Sequence, residues 1–174
     1  MAERFHELRR DELLPDQRRV FDAIASSPRG NVPAPFHILL QSAELAEHAQ
    51  RLGALLRYRT GLPARLSEIA ILVTAKHWSA EFEWYVHERE ARAAGVAEEA
   101  IAAIAAGKPP ALEGDALLVH DFAANFYRTN DVSDELFDRA VERFGKRTVV
   151  ELTSILGYYS MLAILLKVFR VRTP

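Results

Sequence analysis

The sequence predicts an all-α bundle of about seven or eight helices in one domain. Three observations carry this. No run alternates apolar and polar residues with period two, so no strand is signalled. Apolar residues recur instead at three- and four-residue spacing, as on one face of a helix. Gly and Pro number only 8 each and mostly fall between those stretches. At 174 residues, against about 150 per domain, a single domain spanning 1–174 follows. Residues 1–35 read as an N-terminal helix-and-loop appendage to it.

Pro15-Asp16 opens a first helix that runs to about Ala25. Residues 26–35, SSPRGNVPAP, read as a loop. Ser42 starts a second helix, with Leu45, Ala49, Leu52 and Leu55 or Leu56 on one stripe, and Gly61-Leu62-Pro63 ends it. Residues 65–94 are helix-compatible throughout, with boundaries expected at Ser67, Trp78-Ser79 and Gly95. Ser79 fits an N-cap whose hydroxyl accepts from the Phe82 N–H. A short helix covers 97–106 and ends at Gly107. The last third holds three helices. One spans 113–128, with Leu117, His120, Ala124 and Tyr127 on a stripe. The next opens at Ser133-Asp134-Glu135 and ends at Phe144-Gly145, and the last spans 146–170.

Composition excludes several classes of function. Lys and Arg number 22 and Asp and Glu 24, a net charge of −2, so nucleic-acid binding has no electrostatic basis. Cysteine is absent, which removes disulfides, thiolate metal sites and thiol redox chemistry together. The charged N-terminal stretch lacks the apolar centre of a signal peptide. The longest apolar run, residues 152–166, is 15 residues long, whereas a membrane span needs about 18 to 20. A cytoplasmic protein without membrane contact is the expectation. The apolar final helix is expected in the core or between subunits.

One segment concentrates groups capable of chemistry, SAEFEWYVHEREARAAGV. Glu83 and His87 stand at i, i+4, one turn apart on one helix face. A carboxylate beside an imidazole forms a general acid/base unit, because it fixes the ring's tautomer and raises its basicity. By spacing alone the same pair fits an exposed surface ion pair better. Trp84 is adjacent, and Glu68 and His77 precede. His77 also suits a helix C-terminus on dipole grounds. His48 with Glu44, and His120 with Asp121, read as solvated or half-buried polar positions, and His37 as lining a pocket mouth. Di-iron bundles use Glu-x-x-His on two helices, and here that spacing occurs once, at Glu3 and His6 in the charged N-terminal stretch, so no metal ligand set is assigned.

Residues 65–105 resemble the core repeat of the carboxymuconolactone decarboxylase and alkylhydroperoxidase D superfamily. In its peroxidase branch the pattern is Glu, eleven residues, Cys, two residues, Cys, three residues, His, then a helix to Gly and a short acidic helix. Here Glu68 is followed by eleven residues, Ala80, two residues, Glu83, three residues and His87. Ala94-Gly95-Val96 and Glu98-Glu99-Ala100-Ile101 complete the pattern without a gap. Glu68 and His87 match, while both cysteine positions are replaced. Peroxide reduction needs a thiolate and a resolving cysteine, so the resemblance is to the cysteine-free branch, which includes decarboxylases of carboxymuconolactone.

That resemblance implies cofactor-free acid/base chemistry, decarboxylation or isomerisation, on a small carboxylated lactone or ring-derived metabolite. His87, Glu83 and Glu68 become the expected catalytic residues. Trp78, Trp84, His77 and Arg65 become the expected substrate-binding residues, with Arg57 and Arg89 as alternative carboxylate clamps. It also implies a homo-oligomer (dimer, trimer or hexamer) built through the apolar C-terminal helix. A non-catalytic ligand-binding or structural protein, and a metal-dependent helical-bundle enzyme, remain as alternatives.

Overall fold

The computed structural model describes residues 4–173. Among the described residues there are eight α-helices, one short 3-10 turn and no strand, as the sequence predicts. The helices are α1 (Pro15–Ala25), α2 (Ala34–Leu39), α3 (Ala43–Tyr58), α4 (Ala64–His77), α5 (Glu81–Ala93), α6 (Glu98–Ala106), α7 (Gly114–Thr129) and α8 (Asp134–Val168).

The centre of the bundle is α4. Ten consecutive residues, from Leu66 to Ala75, are buried. No amphipathic pattern survives there, because α5, α6, α7 and α8 all pack around it. A helix apolar on all sides belongs inside a core. Glu68 is the charged residue within that run, and it is 6% exposed.

α8 carries the apolar C-terminal run. Gly145 breaks its helical geometry with φ 80° and ψ 155°, a conformation that glycine adopts at little cost. The two segments therefore meet where the sequence places a boundary. The hydroxyl of Ser133 caps the first by accepting from the Leu136 N–H. Leu152, Ile155, Leu156, Leu162 and Leu166 of the second segment are buried. By length and composition alone α8 is apolar enough to cross a membrane, although the 15-residue run within it is not. Half of its most apolar window is buried inside the bundle.

Four local readings change. Residues 34 and 35, expected to end a loop, instead open α2. Pro33 precedes that helix and Pro35 sits in its first turn, where a missing N–H costs nothing. All six residues of α2 are buried. Ser79 does not cap α5. It adopts φ 47°, and Ala80 takes the N-cap position without a side-chain hydrogen bond. On α3 the core face is Ala46, Ala49, Gly53 and Leu56, whereas Leu45, Leu52 and Leu55 turn outward. On α7 the core face is Ala116, Leu118, Val119, Phe122 and Ala123, and the expected stripe lies beside it, half-buried.

The N-terminal part is tied closely to the rest. Val20 and Ile24 of α1 belong to the main core. The Gln17 side chain accepts from the Leu14 N–H and donates to the Leu40 carbonyl. His37 is buried, accepts at Nδ1 from the Leu8 N–H and donates from Nε2 to the Val32 carbonyl. It therefore fastens the N-terminal strap rather than lining a pocket mouth. Burial pulls its pKa below the ordinary value, consistent with the neutral ring that these two bonds require.

Candidate active site

α4 and α5 are joined by a short connection and pack against each other, which brings Glu68 against His87. The His87 Nδ1 lies 2.7 Å from Glu68 Oε2. Its Nε2 lies 3.4 Å from Glu83 Oε2, one turn back along α5. Glu83 occupies the first turn of α5, where the helix dipole favours a carboxylate. His87 is 3% exposed and Glu83 is 5% exposed. The surface ion-pair reading of Glu83 and His87 is thereby replaced by a buried carboxylate–imidazole–carboxylate cluster.

Burial is the largest single influence on His87 and acts against its charged form. The hydrogen bonds and negative charges of Glu68 and Glu83 together outweigh it, and the pKa is raised to about 9. At neutral pH the ring is an imidazolium held between two carboxylates. The Tyr159 ring meets it edge-on, with centroids 4.9 Å apart. Burial, then Glu83 and Glu68, push the Tyr159 phenol well above its usual range, so it is a neutral donor.

Two connected spaces lead to this cluster. The inner chamber, about 50 Å³, is lined by Glu83, His87, Tyr158, Tyr159, Arg57 and Arg29, among others. The outer vestibule, about 770 Å³, shares Arg29, Arg57, Phe82 and Val86 with it and adds Arg89 at the rim. The aromatic wall comes from Phe36, Phe82, Tyr158 and Tyr159, on α2, α5 and α8.

The structure thus unites Glu68, Glu83 and His87 and places the other four expected residues elsewhere. Trp84 is half-buried on another side of α5, in a groove with Lys76 and Tyr85. Trp78 ends α4 and donates from Nε1 to the Ser160 hydroxyl at 2.9 Å. His77 is exposed and stacks on Tyr127, with centroids 4.3 Å apart and planes at 19°. Arg65 is exposed in the first turn of α4 and lines neither the chamber nor the vestibule. Arg57, one of the alternative clamps, does reach the chamber. Its guanidinium pairs with Glu90 at 3.0 Å and is largely buried.

Metal coordination has no preformed geometry in the cluster. Glu68 and Glu83 bind opposite nitrogens of one ring, so they do not converge on a common point. Among the described residues no group of three His, Asp or Glu side chains is arranged to hold an ion.

Fold and site together define an all-helical bundle with a buried acid/base cluster beneath a cationic vestibule. Among solved structures, the chain is similar to the apo crystal structure of the debrominase Bmp8, with a TM-score of 0.75 over 97% of this chain and 90% of that one. Identity between the two is 14%, so the likeness is one of fold. No protein-family model matches the chain, and no curated protein matches its sequence.

Proposed function

We propose that this protein is a cysteine-free enzyme of the carboxymuconolactone decarboxylase and alkylhydroperoxidase D superfamily. It performs cofactor-free acid/base chemistry, decarboxylation or isomerisation, on a small carboxylated lactone or ring-derived metabolite. A cytoplasmic location belongs to the same reading. The observation that carries it is the 2.7 Å contact between His87 and Glu68, with Glu83 on the other nitrogen. The gap-free spacing of Glu68 and His87 along the chain supports the superfamily. The name of Bmp8 supports catalysis on this fold in general, and the decarboxylation itself rests on the site.

In the decarboxylation the carbon–carbon bond to the departing carboxylate breaks. Its electron pair moves into the conjugated lactone carbonyl, and carbon dioxide leaves. The resulting carbanion takes a proton at carbon. The imidazolium of His87 supplies that proton through Glu83, which lies against its Nε2 and lines the chamber beside it. Glu68 holds the ring's tautomer and keeps it protonated beforehand. The chamber is too small for a whole lactone, so the body of the substrate stays in the vestibule and only the reacting carbon reaches Glu83. Thiol peroxidase activity is not expected, because Ala80 and Glu83 stand at the two cysteine positions.

Carbon dioxide release from 4-carboxymuconolactone, by wild type and by His87→Asn, tests the reading. Release by wild type and its loss in the variant is the expected result. Equal release by both overturns the role of His87. No release from this compound, related lactones or β-keto acids overturns the decarboxylase.

A further inference from the structure

The Tyr158 hydroxyl is buried inside the bundle and has no hydrogen-bond partner among the described residues. Tyr158 is 5% exposed, so the orphan is not solvated from outside. Leaving such a group unpaired is costly and calls for a reason. Burial is the main cause that raises its pKa to about 12, so it remains a donor. Tyr158 lines the inner chamber, and its hydroxyl ends beside Gly53 of α3.

The Arg29 guanidinium is a second group without its complement. It lies over the Phe36 ring, 5.1 Å from the centroid, and no carboxylate pairs with it among the described residues. Gly53 explains how the two come together. A Cβ at Gly53 would lie 2.9 Å from Arg29 Nη2 and would overlap the Tyr158 hydroxyl, so both groups end against the same bare stretch of α3. Arg57, also on α3, faces the same chamber. Arg29 brings a positive charge to this point, whereas Arg57 already pairs with Glu90.

We infer that Arg29, Arg57 and the Tyr158 hydroxyl form a binding subsite for the carboxylate of a small organic acid whose apolar body rests on Phe82 and Val86. The inference rests on reading the Glu68–His87–Glu83 pocket as the reaction site, and it names what holds the substrate there. The two arginines offer forked donors and the phenol a third, which satisfies the orphan. The carboxylate held is one that the substrate keeps, because an arginine stabilises the anion and opposes its loss as carbon dioxide. A dicarboxylate such as 4-carboxymuconolactone has one group to keep and one to lose.

Calorimetric titration with benzoate, and with benzyl alcohol as its neutral counterpart, tests the subsite without any turnover. Benzoate is expected to bind wild type and benzyl alcohol to bind about tenfold or more weakly. Arg29→Gln and Arg57→Gln each weaken benzoate about tenfold, and Arg29→Lys recovers part of the loss. Tyr158→Phe weakens benzoate about threefold or more while leaving the melting temperature unchanged or higher, since it removes an unsatisfied group. No benzoate binding, equal binding of the alcohol, or unchanged binding in Arg29→Gln overturns the subsite. Arginine-dependent benzoate binding without decarboxylation of any compound keeps the subsite and removes the reaction. Decarboxylation with KM and kcat unchanged in Arg29→Gln does the reverse.

Discussion

Glu68 and His87 stand 19 residues apart on different helices, yet Glu68 Oε2 and His87 Nδ1 are 2.7 Å apart in the interior. This contact sets the charge of the imidazole. Glu68→Gln removes one of the two carboxylates that hold the proton, so the His87 pKa falls from about 9. NMR titration of the imidazole reads the shift directly. A pKa that stays near 9 in the variant would mean that Glu83 alone sets it. Stability at pH 6 falls by roughly 3–5 kcal/mol, since a buried charge loses a partner.

Stability also depends on pH, with a definite sign. The His87 pKa is raised above its ordinary 6.5 on folding. Its contribution is therefore fully present below about pH 6.5 and is lost as pH rises through about 9. The unfolding free energy measured in urea should fall across that window by roughly 3 kcal/mol at most. His87→Asn flattens the slope. Decarboxylation that uses the imidazolium as acid declines over the same upper limb.

Gly53→Ala lowers the melting temperature. Helix propensity alone favours alanine by about 1 kcal/mol. The added methyl, however, meets the Tyr158 ring carbon at 2.7 Å and Arg29 at 2.9 Å. Overpacking of this kind costs about 1–3 kcal/mol. An unchanged or raised melting temperature would show that Tyr158 moves aside freely.

Arg65→Ala leaves KM and kcat for a demonstrated substrate unchanged, because Arg65 is exposed and apart from the chamber and vestibule. Steady-state kinetics decides this, and a rise in KM of about tenfold would restore Arg65 as a substrate contact.

A homo-oligomer is proposed through α8, whose outer face carries Val150, Ile164 and Val168, each exposed. Light scattering at dilute concentration should give a multiple of the 19.6 kDa chain mass. A mass near that of one chain would refute the assembly.

The helices were legible in the sequence because periodicity and punctuation are local. Gly107 and Gly145 mark boundaries through their own backbone preference. α2 was hidden because two prolines resemble loop punctuation, although Pro35 suits a first turn. The Glu83–His87 pair could be read from i, i+4 spacing, and Glu68 from the family-like spacing. The rest of the chamber could not. Arg29 and Phe36, Arg57, and Tyr158 come from three separate segments, and only tertiary packing makes them neighbours. A tyrosine pair within the apolar run of α8 was the one local hint. Trp78 and Trp84 misled for the opposite reason. They are near in sequence, and helix rotation separates them from the cluster.

The burial of α4 on every side has a consequence for motion. Its amides have no face from which solvent can enter, so their hydrogen exchange requires opening of the whole bundle. Glu68 is thus fixed to the slowest-exchanging part of the molecule. α5 is different, since many of its residues reach solvent. The imidazole and Glu83 ride on an element that can breathe while their partner stays still. Any fluctuation that separates Glu68 from His87 must come from α5, and each such excursion releases the ring from its stronger hydrogen bond.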